Sequence, residues 1–349
     1  MPSGGCVVKP VTIAIDAMSG DVGVEATVPA ALAMLKSRPD INLILVGKQE
    51  LIEPAIAKAR LSNGRVRIHD AREVVSMEDH PADALRKKKD SSMRIAIDLV
   101  KNGEAGACVS AGNTGALMAT GRFVLKTVKG IDRPAIMTGI PTKSGRIHML
   151  DLGANTGCTA EQLFQFGIMG SVVVKDIEGI DEPRIGLLNI GEESIKGSET
   201  VREAAELLKA SRLNYVGFVE GDKIAERTAD VIVCDGFSGN VALKTMEGTA
   251  RLVKHFLIEE FKSGLYGWLA GVVAWPVLRS LSKRVDPRRY NGASLVGLNG
   301  IVIKSHGGAD AMAFQQAIQV AILEVDKDVP EQIRSLMEKE ALHEESAMT

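Results

Sequence analysis

The feature that most limits how this chain can fold is a grammar repeated along most of its length. A β-branched apolar run is followed by a glycine-containing turn and then by a helical pattern. Residues 11–15 lead into DAMSGD, 41–46 into GKQELIEPAIAKAR and 106–109 into SAGNTGALMATG. Further on, 147–150 precede DLGAN, 185–188 precede NIGEES, 231–234 precede DGFSGN and 301–303 precede KSHGGAD. Nearly continuous apolar strands alternating with helices predict an α/β layered architecture, a mostly parallel sheet covered on both faces. Ligands in such sheets lie beyond the carboxyl ends of strands, at a topological switch point, and the glycine-rich turns are all expected on that edge. The pattern predicts a single catalytic unit over residues 11–330, with an apolar and basic protruding element at 262–292 and a charged tail at 331–349.

The turn DGFSGN, continuing VALKTMEG, places Ser238, Gly239 and Asn240 at a strand end. Lys244 follows one helical turn later, where it can project back over them. Main-chain N–H groups at a helix start together with an ammonium favour an oxyanion, most simply phosphate. Asp235 cannot hold an anion and reads as an acceptor that orients nearby donors. SAGNTG repeats the logic with Ser110, Gly112, Asn113 and Thr114, although an ordinary capped βα turn accounts for it equally well. It is neither GxxxxGK[ST] nor GxGxxG. Asp16, Gly20 and Asp21 of DAMSGD, and Asp151 and Asn155 of DLGAN, fall at the same kind of position. In NIGEESIKGSET, Glu193 and Lys196 together with Glu192 fit a metal or acid–base site, or a helix cap. His306 stands between a strand end and two glycines. Cys108 and Cys234 lie inside apolar strands and read as packing residues, and no GxSxG elbow offers a serine nucleophile. A bound anion that itself attacks fits better, with no metal and no cofactor required.

Two segments stand apart. Arg86, Lys87, Lys88 and Lys89 form a cationic run, read either as a solvated face or as a dock for an acidic partner. Residues 264–278, with Leu265, Trp268, Leu269, Val272 and Trp275, are apolar, aromatic and followed by arginines and lysines. That combination suits an anionic membrane surface, or equally a contact with a second subunit or a core helix. No run reaches the ~20 apolar residues of a membrane span. A net charge of −2 and only 4% aromatic residues exclude a nucleic-acid binder. Cys6, Cys108, Cys158 and Cys234 form no CxxC pair, which fits a reducing cytoplasm. The first residues carry no signal-peptide pattern.

The blocks IAIDAMSGD, ALRKKKDSSM, VSAGNTGALMA, LDLGAN, LLNIGEE, GFVEG, DVIVCDGFSGNVALKTMEG and NGASLVGLNGIVIKSHGGAD, in this order, resemble the bacterial phosphate acyltransferases of phospholipid synthesis. Ser19 stands where that family usually has glycine, Val24 where it has proline, and Gly157 where it has aspartate. The resemblance implies a fold like those of isocitrate dehydrogenase and phosphotransacetylase. It also implies transfer of a long-chain acyl group from acyl carrier protein to inorganic phosphate, giving acyl phosphate. A cytoplasmic homodimer peripherally bound to the membrane, passing its product to a membrane glycerol-3-phosphate acyltransferase, is part of the same expectation. The competing readings are a metal- and NAD-dependent hydroxyacid dehydrogenase on a related fold, and a non-enzymatic membrane scaffold.

Overall fold

The computed structural model describes residues 11–58, 64–284 and 286–348. Cys6 and the first ten residues of the segment read for a leader lie outside them. In chain order come β1 (Val11–Asp16), α1 (Val24–Ser37), β2 (Ile41–Gly47), α2 (Gln49–Lys58), β3 (Val66–Asp70), α3 (Pro81–Lys87), α4 (Ser92–Lys101), β4 (Ala107–Ser110) and α5 (Thr114–Leu125). The hairpin β5 (Ala135–Thr142) and β6 (Gly145–Leu150) follows, then α6 (Ala160–Glu178), β7 (Ile185–Leu188), α7 (Glu199–Ala210), β8 (Tyr215–Val219) and β9 (Val231–Val233). The chain ends with α8 (Gly236–Lys262), α9 (Gly264–Arg284), β10 (Ala293–Val296), β11 (Ile301–Lys304), α10 (Ala311–Lys327) and α11 (Val329–Met348). Helices begin where a side chain can accept a first-turn N–H: Ser91 before α4, Asn113 before α5, Asp235 before α8 and Asp310 before α10. Asn113 and Asp310 close glycine-containing turns, and Asp235 opens one.

The strands form one sheet in the order β3-β2-β1-β4-β11-β10-β5-β6-β9-β7-β8. β3, β2, β1, β4 and β11 are parallel to one another, as are β6, β9, β7 and β8. Between the blocks, β11 to β10, β10 to β5 and β5 to β6 are all antiparallel. Three reversals leave the two parallel blocks running in opposite senses. The expectation of a single carboxyl edge is therefore corrected: the blocks point their strand ends opposite ways.

Register brings those ends together again. Lys304 pairs with Ala293, Ser294 with Met137, and Thr138 with Met149. Counted across these rungs, Lys304 stands level with Met149, so the carboxyl ends of β11 and β6 differ by about one residue, ~3 Å, along the strand direction. They stand three strand spacings, roughly 14 Å, apart. The two blocks overlap only at their ends, and the switch point lies there.

A continuous apolar layer crosses both blocks, from Ala14, Ile44 and Cys108 to Ile147, Ile232 and Cys234. α1 and α10 cover the other face of the first block, and α6 that of the second. α8 and α9 depart from this packing: α8 buries only Gly236 and Gly239, and α9 buries nothing.

Candidate active site

At the end of the first block the loops after β1, β4 and β11 interlock. Ser110 Oγ donates to Asp16 Oδ2 (2.6 Å) and accepts from the Gly112 N–H (3.1 Å). Ser19 donates to the Asp16 carbonyl (2.7 Å) and accepts from the Ala111 N–H (2.8 Å), bonds that glycine would not make. Gly20 has φ +82°, and a Cβ there would meet the Gly307 carbonyl oxygen at 2.8 Å, so a side chain would wedge the loops apart. The Asp21 N–H donates to that same carbonyl (2.9 Å). His306 is exposed; its N–H donates to Asn291 Oδ1 (2.9 Å), and its Nδ1 accepts from the Gly308 N–H (3.1 Å). An accepting Nδ1 leaves the neutral ring's proton on Nε2, so the imidazole presents a donor.

Lys304, the last residue of β11, was missed by sequence reasoning; its signal was a lysine closing an otherwise apolar strand. The residue is only 8% exposed. Its Nζ donates to the Ala111 carbonyl (3.3 Å) and to the Ser305 carbonyl. Burial pushes its pKa down to about 8, against the pull of Asp21 and Asp16, and Lys244 pushes the same way as burial. Burial also raises the Asp16 carboxyl above the usual carboxylate range, partly offset by the hydroxyls of Ser110 and Ser92. Asp16 Oδ1 is buried and has no hydrogen-bond partner among the described residues.

The end of the second block is built differently. Asp151 is fully buried, and its Oδ1 accepts from the N–H groups of Ile136 (3.0 Å), Gly153 (3.2 Å) and Ala154 (3.1 Å). Its Oδ2 accepts from the Asn155 backbone (2.6 Å) and side chain (2.9 Å). Asn155 Nδ2 also donates to the Pro134 carbonyl (2.9 Å), and the Asn155 carbonyl accepts from the Gly236 N–H (2.6 Å). Asp235 caps α8, accepting from the Ser238 N–H and from Ser238 Oγ, both at 2.9 Å. That matches the orienting role read for it. It also corrects the reading of the turn as an anion cradle, because the Gly236 and Ser238 N–H groups are taken and Ser238 Oγ donates inward. Gly239 serves close packing: a Cβ there would lie 1.9 Å from the Asp151 carbonyl oxygen. Asp151 and Asn155, expected to touch substrate, instead tie the loop.

Two further expectations change. Lys244 does not fold back over its turn; half exposed, it pairs with Glu247 (3.0 Å) while its charge still reaches Lys304. Asn113 is committed on both sides, with Oδ1 capping α5 (3.0 Å) and Nδ2 donating to the carbonyls of Met77 (2.7 Å) and Asp79 (3.1 Å). The N–H groups of Thr114 and Gly115, in the first turn of α5, have no intrahelical partner. Asn240 packs against Gly153, where a Cβ would stand 3.7 Å from its own. Lys304 bonds the Ala111 carbonyl two residues before Asn113, and the charge that acts on it from α8 is that of Lys244, one helical turn beyond Asn240. Glu193 and Lys196 pair with each other (2.8 Å) on an exposed loop. Lys88, read as a docking cation, is anchored to the Val74 carbonyl (2.8 Å) and Asp79 (2.5 Å), which leaves Arg86, Lys87 and Lys89 on the surface. Burial holds the thiols of Cys108 and Cys234 well above their ordinary pKa, as inert packing groups. A depression of about 520 Å³ at the ends of β2 and β3 mixes Lys48 and Arg72 with Glu50, Glu53 and Asp70, and shares no residue with this cluster.

A family model described as fatty acid synthesis protein matches residues 11–332. A phosphate acyltransferase of Alkalilimnicola ehrlichii is 60% identical over 329 residues, 94% of this chain and 96% of that protein. Another, of Methylococcus capsulatus, is 56% identical over 327 residues, 93% of this chain and 96% of that protein. Among solved structures, a phosphotransacetylase from Streptococcus pyogenes matches with a TM-score of 0.63 at 19% identity, covering 91% of this chain and 94% of that one. A branched-chain phosphotransacylase from Enterococcus faecalis gives 0.56 at 14% identity, covering 91% and 99%. The structural matches carry the fold alone: an α/β sheet of the phosphotransacetylase kind.

Proposed function

The chain belongs to the phosphate acyltransferase family and is an acyltransferase, and from that premise we propose that it moves a long-chain acyl group from acyl carrier protein to inorganic phosphate. A phosphate oxygen attacks the thioester carbonyl carbon. The new C–O bond forms, the C–S bond breaks, and the electron pair leaves with sulfur, which takes up a proton. Phosphate is largely dianionic near neutral pH (second pKa ~6–7 by analogy with phosphate esters), so the nucleophile arrives already deprotonated. Holding it beside the thioester supplies much of the rate. His306 is assigned to hydrogen-bond the departing sulfur through Nε2–H, the proton that the sulfur takes up being the one the acylated phosphate sheds, and Lys244 to support the developing oxyanion.

One observation carries this reading. Lys304, buried at the end of β11 and in no carboxylate ion pair among the described residues, keeps an ammonium against which the Lys244 cation of the second block pushes. Like charges disfavour each other there, and a dianion beside both removes the conflict. The test is to incubate the purified protein with acyl-loaded carrier and phosphate, trapping acyl phosphate with hydroxylamine and titrating free thiol. Equimolar hydroxamate and thiol, both dependent on phosphate, are expected; thiol release without hydroxamate would mean hydrolysis and would reject the assignment. An absorbance change with a nicotinamide would favour the dehydrogenase reading instead.

The carrier is proposed to dock on Arg86, Lys87 and Lys89. α3 starts beside the N-terminus of α5, where a Cβ at Gly115 would meet Pro81 Cγ at 2.9 Å, so a docked carrier sits close to the site. No helix among the described residues is long and apolar enough to cross a membrane. We assign Leu265, Trp268, Leu269, Val272 and Trp275, all exposed on α9, to an anionic membrane surface. There a homodimer would deliver acyl phosphate for phospholipid synthesis to the membrane glycerol-3-phosphate acyltransferase.

A further inference from the structure

We propose that Lys304, and not the surface cation Lys244, is the seat of the phosphate, and that its burial makes phosphate binding depend on pH. The inference rests on the reading that this site takes phosphate, and it adds which residue holds the anion and how the hold is regulated. Three facts of geometry carry it. Lys304 is buried at the end of β11, inside the interlocked loops after β1 and β4. Two backbone carbonyls, those of Ala111 and Ser305, receive its hydrogen bonds, and no carboxylate forms an ion pair with it among the described residues. An ammonium has three N–H donors, so one is left over. Asp16 Oδ1, buried in the same cluster, is an orphan acceptor, which a protonated phosphate oxygen or a water carried in with the anion would satisfy.

A lysine kept purely as a strut between two loops would need neither its charge nor a third donor, and a neutral residue would serve without the desolvation. The charged groups acting on Lys304 are Asp16 and Asp21 from the β1 loop and Lys244 from α8. β10 brings Ala293 opposite it, and Asp310 at the start of α10 is engaged by Arg288 (3.1 Å). Burial and Lys244 weaken the hold on the proton, and a bound dianion restores it. With Lys304 titrating at about 8, phosphate affinity stays level just below that pH and falls about tenfold per pH unit above it, as the ammonium loses its proton. Near pH 8, where the free site is half charged, binding takes up roughly half a proton.

The experiment is calorimetric titration of inorganic phosphate into the full-length protein, without any acyl donor, from pH 6.5 to 9.5 in buffers of different ionisation enthalpy. The variants are Lys304→Met, Lys304→Arg and Lys244→Ala. Wild type is expected to show the inflection near pH 8 and the proton uptake. Lys304→Met should lose at least tenfold in affinity and both signatures. Lys304→Arg should recover binding and move the inflection out of range, and Lys244→Ala should move it upward. Unchanged affinity and pH profile in a folded Lys304→Met would overturn the inference. Should that variant fail to fold, a wild-type profile without an inflection or proton uptake overturns it equally. Phosphate bound with the inflection, but no acyl phosphate made from acyl carrier, would leave Lys304 standing and remove the proposed donor; turnover without the inflection would do the reverse.

Discussion

Replacing Gly239 by alanine separates two uses of a glycine-rich turn. If the turn cradled an anion, a methyl group would crowd the ligand, raising the KM for phosphate while leaving the fold alone. In the structure the added Cβ would stand 1.9 Å from the Asp151 carbonyl oxygen and 2.8 Å from Cys234 Sγ, against a floor of about 3.0 Å for real contacts. The nearest atom is backbone, so relief needs a movement of roughly 1 Å by the start of α8 or by the loop after β6. Overpacking a tight core costs typically 1–3 kcal/mol, and a clash with a main-chain carbonyl on one side and a buried sulfur on the other belongs at the upper end, about 3 kcal/mol. At roughly 2 °C per kcal/mol for a chain of this size or somewhat smaller, Tm should fall by about 6 °C. Thermal unfolding followed by circular dichroism, paired with phosphate kinetics at a temperature where the variant is folded, measures both. The expected result is a lowered Tm with a phosphate KM within about twofold of wild type. An unchanged Tm with a KM raised tenfold would refute the packing argument and return the anion to this turn.

Asp151→Asn leaves one acceptor but turns an amide N–H₂ towards the donors of Asn155, so urea unfolding should lose about 2–4 kcal/mol, the cost of buried donors left unpaired. Charge reversal at Arg86, Lys87 and Lys89 together should raise the KM for acyl carrier protein and weaken its salt dependence without changing kcat; unchanged kinetics would return the run to a solvated face. Lys88→Ala should act on stability instead, since its Nζ ties the Val74 carbonyl to Asp79. Trp268→Ser with Trp275→Ser should lower co-sedimentation with vesicles of anionic lipid while leaving solution activity intact; undiminished binding would move that helix to a subunit interface.

The fold class was legible because near-continuous apolar strands and turn glycines are local signals that tertiary context seldom overrides. The reversal of strand sense was not. β5 reads AIMTGIPT, and its Gly139 and Pro141 are loop residues by local rules. They are tolerated because pairing with β10 at one end and β6 at the other fixes the strand. The glycines of DGFSGN and DAMSGD were visible, but a glycine that admits a ligand and one that admits another stretch of backbone look the same in sequence. Gly239 against Asp151 and Gly20 against Gly307 belong to the second kind. Lys304 was hidden for the same reason, because its environment comes from Ala111 and Asp16, far away in the chain.

That concealment has a physical basis in how the site is assembled. Each block on its own ends in carboxylates and hydroxyls bonded to main chain, an arrangement that fixes loops. On the phosphate reading the site needs cations, and it draws Lys304 from the first block and Lys244 from the second. The antiparallel strands between the blocks leave their ends only about one residue out of level, and Lys244 of α8, from the second block, acts on Lys304 of the first. The positive potential therefore belongs to the junction and to neither half. It follows that changes in β10 or the β5–β6 hairpin that shift register would weaken phosphate binding without touching any residue that contacts it. A two-residue shift, ~7 Å along a strand, would move Lys304 relative to Lys244, and phosphate affinity is expected to fall with it.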